Sequence, residues 1–176
     1  MRRVAIFGNA GGGKSTLAKR LASMTGLPLH PLDMIKFKPG GEPVPHADYV
    51  AIHAELLGED HWIIDGFGDV ATAWERFARA DTLIFVDQPI SRHVWWVTKR
   101  HFKGLFKTPE GWPDDSPMWR STFSSYKVLW LCHRRLTPRY RQLVVEASAT
   151  KRVHHLRSPR DISNFLEAVA RETKGA

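Results

Sequence analysis

Gly8-Asn9-Ala10-Gly11-Gly12-Gly13-Lys14-Ser15 is the stretch on which the reading of this chain turns. It fits G-x-x-x-x-G-K-[ST] at every fixed position, and its surroundings suit that motif. Val4-Ala5-Ile6-Phe7 before it is a short all-apolar run, the pattern of a strand buried on both faces. After it, Leu17, Ala18, Leu21 and Ala22 follow helical spacing from Lys14 to about Thr25, and Gly26 stops the helix. The residue types match the chemistry of a polyphosphate cradle. Several backbone N–H groups must point at the anion, and side chains would block its approach. Gly11, Gly12 and Gly13 remove that obstacle and permit positive φ. The helix N-terminus adds free donors and partial positive charge. Lys14 would reach the β- and γ-phosphates and the Ser15 hydroxyl would bind Mg²⁺. Gly8, Asn9, Ala10, Gly11, Gly12, Gly13, Lys14, Ser15 and Thr16 are thus the expected ATP-binding segment, with ATP and Mg²⁺ the expected cofactors.

Outward from the cradle, strands and helices alternate. Leu27 to His30 reads as a short second strand and residues 31–46, rich in Pro and Gly, as loop. Val50, Ala54 and Leu57 line one helical face. Trp62-Ile63-Ile64 is a third strand, followed by Asp65-Gly66, and 69–79 is helical. Thr82 to Val86 is a fourth strand ending at Asp87. A helix from Pro89 carries Ile90, Val94 and Val97. Residues 103–118 hold three prolines and two glycines and are expected to form a mobile loop. Helix resumes from near Trp119 to about Leu136, and again after Pro138. Val153 to Leu156 is the last strand. Ser158, Pro159 and Asp161 then open a helix with a capping signature. The alternation predicts an α/β fold of three layers, α/β/α, on a parallel five-stranded sheet. Ligands of such sheets lie beyond the carboxyl ends of the strands. Gly8 to Ser15, Asp33, Asp65, Asp87 and Arg157 are therefore the positions to watch.

The chain has 176 residues, 43% hydrophobic and 25% charged, an ordinary globular balance that excludes disordered, collagenous and coiled-coil classes. One domain over 1–176 is expected: a core of 1–30, 61–90 and 150–176, a substrate-side insertion over about 31–60, and a helical and loop lid over about 91–149. No apolar run approaches the ~18 residues of a membrane span. Cys132 is the only cysteine, so no internal disulfide is possible and a cytoplasmic location is expected. The net charge is +8, unevenly placed. Residues 89–160 hold 15 Lys+Arg against 4 Asp+Glu. Such a segment attracts polyanions, whether nucleotides, phosphorylated metabolites or nucleic acid.

The ordered motifs resemble the nucleoside-monophosphate-kinase-like P-loop proteins, and most of all the adenylate-kinase-related topology-modulation proteins. The matching stretches are Gly8 to Thr16, Leu27-Pro28, Leu32-Asp33, Trp62 to Gly66, Ala80 to Pro89, Lys99-Arg100 and Leu156 to Ile162. The resemblance implies that Asp65 orders water around Mg²⁺ and that Arg100, at the lid base, touches the transferring phosphoryl group. It implies that Arg157 and Ser158 pass the adenine ring. Asp33 falls where hydroxyl-phosphorylating relatives such as shikimate kinase carry a substrate-holding Asp. Lys14, Asp33 and Arg100 are the resulting catalytic candidates, and Ser15 and Asp65 the metal-holding ones.

Two departures bear on the acceptor. Gly68-Asp69 stand where adenylate kinase has Pro-Arg, and residues 39–61 contain no Lys or Arg. A monophosphate acceptor needs cations; Lys36, Lys38, Arg76 and Arg79 are the candidates. The expected activity is transfer of the ATP γ-phosphoryl group to a nucleotide, nucleoside or similar hydroxylated small molecule. The alternatives are a nucleic-acid-binding protein switched by ATP and a plain NTPase. A monomer or homodimer with no membrane partner is expected. Asp87 reads equally as a metal-side carboxylate or a helix cap. Arg92, Lys99, Arg134 and Arg135 read as solvated faces, and His30, His154 and His155 as structural. Trp95, Trp96, Trp112, Trp119 and Trp130 are expected to close a core between lid helices, with stacking on bases as the alternative.

Overall fold

The structure, a computed structural model, describes residues 1–39, 41–104 and 122–174, with side chains up to 99 and from 126 to 173. The expected loop over 103–118 falls, from 105 on, outside the described residues, as do Trp112 and Trp119. Five strands, β1 (Arg3–Gly8), β2 (Leu29–Pro31), β3 (Trp62–Asp65), β4 (Thr82–Val86) and β5 (Arg152–Leu156), form one sheet in the order β2-β3-β1-β4-β5. Every pairing is parallel. The helices are α1 (Lys14–Thr25), α2 (Leu32–Lys36), α3 (His46–Gly58), α4 (Val70–Arg79), α5 (Ile90–Gly104), α6 (Thr122–Arg135), α7 (Thr137–Ala147) and α8 (Pro159–Lys174).

Alternation along β1 creates the three layers. Val4 and Ile6 face Leu17, Ala18 and Leu21 of α1 and Phe165, Leu166 and Val169 of α8. Ala5 and Phe7 face the other way, onto a core with Tyr49 and Leu57 of α3, Phe77 of α4 and Tyr140 of α7. The Phe7 ring centroid lies 4.4 Å from that of Phe77, 5.2 Å from Phe85 and 5.0 Å from Tyr140. Capping follows the sequence at two helices. Asp69 accepts from the Thr72 N–H at 2.9 Å to start α4. Ser158 and Asp161 exchange hydrogen bonds of 2.9 and 3.1 Å at the start of α8.

Two expectations are corrected. The segment 31–46 is not all loop: Leu32–Lys36 forms α2. The inward face of α3 is Tyr49, His53 and Leu57, while Val50 and Ala54 face outward. The apolar spacing misplaces the face because two buried positions carry polar groups.

The register brings the functional ends together. Ile6 pairs with Asp65 and Gly8 with Val86, so the loop leaving β1 lies between Asp65 and Asp87. Pro31 pairs with Asp65, which places Asp33 two residues beyond the same sheet edge. Gly8 is required where β1 meets β4. Its φ is +138°, and a Cβ there would run into the Val86 carbonyl oxygen. Gly8→Ala should therefore destabilise the protein by about 3 kcal/mol, read as a lower denaturant midpoint at unchanged slope.

Candidate functional site

The cradle is a helix start stripped of its usual closure. Gly13 is the N-cap of α1 with φ 82°, no side chain caps the first turn, and that turn carries no acidic residue. A Cβ at Gly13 would meet nothing within 4 Å, so its side of the loop is open. Gly11 and Gly12 face inward instead. A Cβ at Gly11 would lie 2.8 Å from the His93 carbonyl oxygen, and one at Gly12 would lie 3.0 Å from the His93 ring. The loop is pinned from behind. His93 donates from Nδ1 to the Ala10 carbonyl at 2.7 Å, and Asn9 donates from Nδ2 to the Leu129 carbonyl at 2.9 Å. Burial lowers the His93 pKa, which favours the neutral ring. Lys14 is half-buried and its Nζ donates to the Asn9 carbonyl at 2.8 Å.

Asp65 stands beside this cradle at 4% exposure. Burial raises its pKa; the Lys14 ammonium, a hydrogen bond from the Ser15 hydroxyl and the Arg76 guanidinium act in the opposite direction. Its Oδ1 is buried without a hydrogen-bond partner among the described residues. An uncapped helix start, a lysine, a hydroxyl and a buried carboxylate oxygen lacking a donor are a donor set that fits a Mg²⁺-polyphosphate. Ser15 and Asp65 are the side chains that would hold the metal. Among the described residues no cluster of three or more His, Cys, Asp or Glu side chains forms a metal site of its own.

The turn after Asp65 is held from below. Gly66 and Gly68 have φ of 117° and 71°. Arg76, 0% exposed, donates from one terminal nitrogen to both the Gly66 and Phe67 carbonyls, each at 3.1 Å. Its other terminal nitrogen lies 3.2 Å from His53 Nε2. Burial pulls the guanidinium down to about 10 and also lowers the His53 pKa. Lys36 donates to the Gly68 carbonyl at 2.8 Å. Arg76 is thus an internal residue rather than an acceptor-phosphate ligand, and Lys36 is engaged. Arg79 is the last residue of α4.

On the other side of the cradle, Asp87 is an ion-pair hub. Arg141 of α7 grips it with both a 2.8 Å and a 3.1 Å bond, and His155 Nε2 donates to it at 2.9 Å. His155 Nδ1 is then free to accept from Arg157, 3.3 Å away. Burial pushes the Asp87 carboxyl up, but the bonds from Arg141 and His155 prevail and hold it below the ordinary value. That use of Asp87 argues for a structural tie between β4, β5 and α7. A depressed folded pKa contributes stability above the unfolded value of ~3.9, lost as pH falls through the folded one. Asp87→Asn should destabilise the protein at pH 7, with the difference from wild type shrinking as urea melts are taken below pH 4.

Arg100 lies in α5, one helix turn beyond Trp96, and its side chain is outside the described set. Trp95, Trp96 and Trp130 are 64%, 45% and 55% exposed, so these three do not close a core. Trp95 and Trp96 line a surface concavity with Pro89, Ser91 and Arg92, and the Lys99 ammonium sits 5.0 Å from the Trp96 ring. The residues that sequence reasoning did not single out are His93, Asn9's tie to Leu129, His53, and Arg141. His93, His53 and Arg141 belong to no local motif.

No family model and no curated protein matches the chain. Among solved structures, a shikimate kinase from Acinetobacter baumannii in complex with shikimate superposes with a TM-score of 0.61. It covers 99% of this chain and 94% of its own, at 13% identity. The chain shares that fold, three layers α/β/α on a five-stranded parallel sheet. A sugar kinase from Janibacter sp. HTCC2649, solved unliganded, aligns over 98% of this chain and 91% of its own with a TM-score of 0.48 and 15% identity. Among the described residues no helix is long and apolar enough to cross a membrane.

Proposed function

We propose that this chain is an ATP-dependent phosphotransferase that passes the γ-phosphoryl group to a small hydroxylated acceptor. The observation that carries the reading is the open, uncapped start of α1 with Lys14 beside the buried, unpartnered oxygen of Asp65. In this reading the amides of Gly8 to Thr16 and the Lys14 ammonium bind the phosphates. Ser15 and Asp65 hold the metal, and Arg157 borders the base. Bound Mg²⁺ would neutralise charge on the β- and γ-oxygens. Arg100 would close over the transferring group, where a planar cation matches its equatorial oxygens. Asp33 would orient the acceptor, accepting the proton of an attacking hydroxyl. The segment 91–149 would act as the lid that excludes water. The relationship to adenylate-kinase-related topology-modulation proteins is part of this proposal.

An alcohol acceptor is favoured over a phosphate one. Two of the four cations available to grip an acceptor phosphate, Arg76 and Lys36, are engaged on the carbonyls of residues 66–68. A coupled ADP-release screen over nucleosides, nucleoside monophosphates and small hydroxy acids tests the reading. The expected result is a rate that rises with one hydroxylated class. A hydrolysis rate that no acceptor raises would leave an NTPase.

The exposed tryptophans beside Arg92 and Lys99 favour a second reading, in which this face stacks on single-stranded nucleic acid. Binding that weakens steeply as salt is raised would support it. No binding at low salt would remove it.

A further inference from the structure

A fully buried arginine is costly unless its charge is matched and its donors are used. Arg76 has no carboxylate in hydrogen-bond contact among the described residues. Its partners are two successive main-chain carbonyls and a histidine ring, and its Nε is left without a partner. The side chain runs back along α4 toward the helix start, as helical side chains do, and ends beneath the turn that follows Asp65. That turn has positive φ at Gly66 and Gly68, so its shape is not one that the chain holds by default. The Gly66 N–H ties it to the sheet through the Ile6 carbonyl, at 3.3 Å. The guanidinium is also close enough to Asp65 for each charge to favour the other.

We infer that Arg76 is a positioning residue: by clamping the Gly66 and Phe67 carbonyls from inside the core, it fixes where the Asp65 carboxylate presents its open oxygen to the metal. His53 holds the other side of the guanidinium and sets its plane. The inference rests on Asp65 as the metal-holding carboxylate of the proposed function. Lysine at this position keeps the charge but has no second terminal nitrogen to face His53 while the first bonds the two carbonyls. Glutamine removes the charge as well.

The test compares wild type with Arg76→Lys and Arg76→Gln by calorimetry with ATP, with and without Mg²⁺, and by the Mg²⁺ concentration that half-saturates ADP release. ATP affinity without metal is expected to stay at the wild-type value, because the cradle amides are untouched. The Mg²⁺ requirement should rise by about 10–100-fold, the range seen when a partner behind a metal ligand is lost, more for Gln than for Lys. A purely structural role would instead lower the melting temperature and leave the Mg²⁺ requirement of the folded fraction unchanged. His53→Gln is the second variant should the arginine replacements fail to fold, and the same split at smaller amplitude is expected of it. A wild-type Mg²⁺ requirement in every folded variant overturns the inference alone. A wild-type protein whose ATP binding and turnover ignore Mg²⁺ overturns the metal assignment and the inference together.

Discussion

Lys14→Ala is expected to lower Mg-ATP turnover by about 10²–10³-fold, the cost of removing one donor aimed at developing charge. The ammonium donates to the Asn9 carbonyl at 2.8 Å. A phosphate oxygen would be a stronger acceptor for it than that neutral carbonyl. Truncation removes no buried apolar group. The lost carbonyl bond is worth about 0.5–1.5 kcal/mol, so the melting temperature should fall by only a few degrees, at about 2–4 °C per kcal/mol for a chain of this size. Steady-state ADP release and a thermal melt on the same preparation check both halves. Wild-type turnover in the folded variant would displace Lys14 from the site.

Asp65→Asn should separate function from stability. Loss of the carboxylate proposed to hold the metal is expected to cut Mg²⁺-dependent turnover by on the order of 10²-fold. The effect on the free protein runs the other way. Burial raises the Asp65 pKa even against Lys14, Ser15 and Arg76. A carboxyl with a raised folded pKa contributes stability that is present at low pH and lost as pH rises through that value. At pH 7 the charged form therefore weighs on the fold, and the neutral amide of the same shape removes that weight. The melting temperature of Asp65→Asn at pH 7 should equal or exceed that of wild type, with the difference vanishing toward pH 4. A variant that is both less stable at pH 7 and fully active would contradict the assignment.

The same contrast shows why some features of this chain can be read from its residues and others cannot. The cradle, the buried strands and the cap at Ser158 are local patterns, and each is found where its spacing puts it. The parallel sheet follows from the alternation of strands and helices, but its order of β2-β3-β1-β4-β5 is a tertiary fact. The supports of the site are tertiary as well. Asn9 reaches Leu129 across 120 residues, His93 reaches Ala10 across 83, and Arg141 reaches Asp87 across 54. No periodicity links such pairs. Buried polar groups mislead the apolar count directly: α3 turns His53 and Tyr49 inward because Arg76 and Thr72 supply their partners. Arg76 stands in the sequence as a candidate cation for an acceptor phosphate, and in the fold it is internal, beneath the turn at Gly66.

Those supports surround one feature, the open helix start proposed to receive phosphate oxygens, with Asp65 on one flank and the Asp87 hub on the other. Isothermal titration of Mg-ATP into the wild-type protein addresses it most directly. The expected result is saturable heat at one site per chain, weakened when Lys14 is replaced by alanine. No heat with the wild type, or equal heat with both proteins, would contradict it.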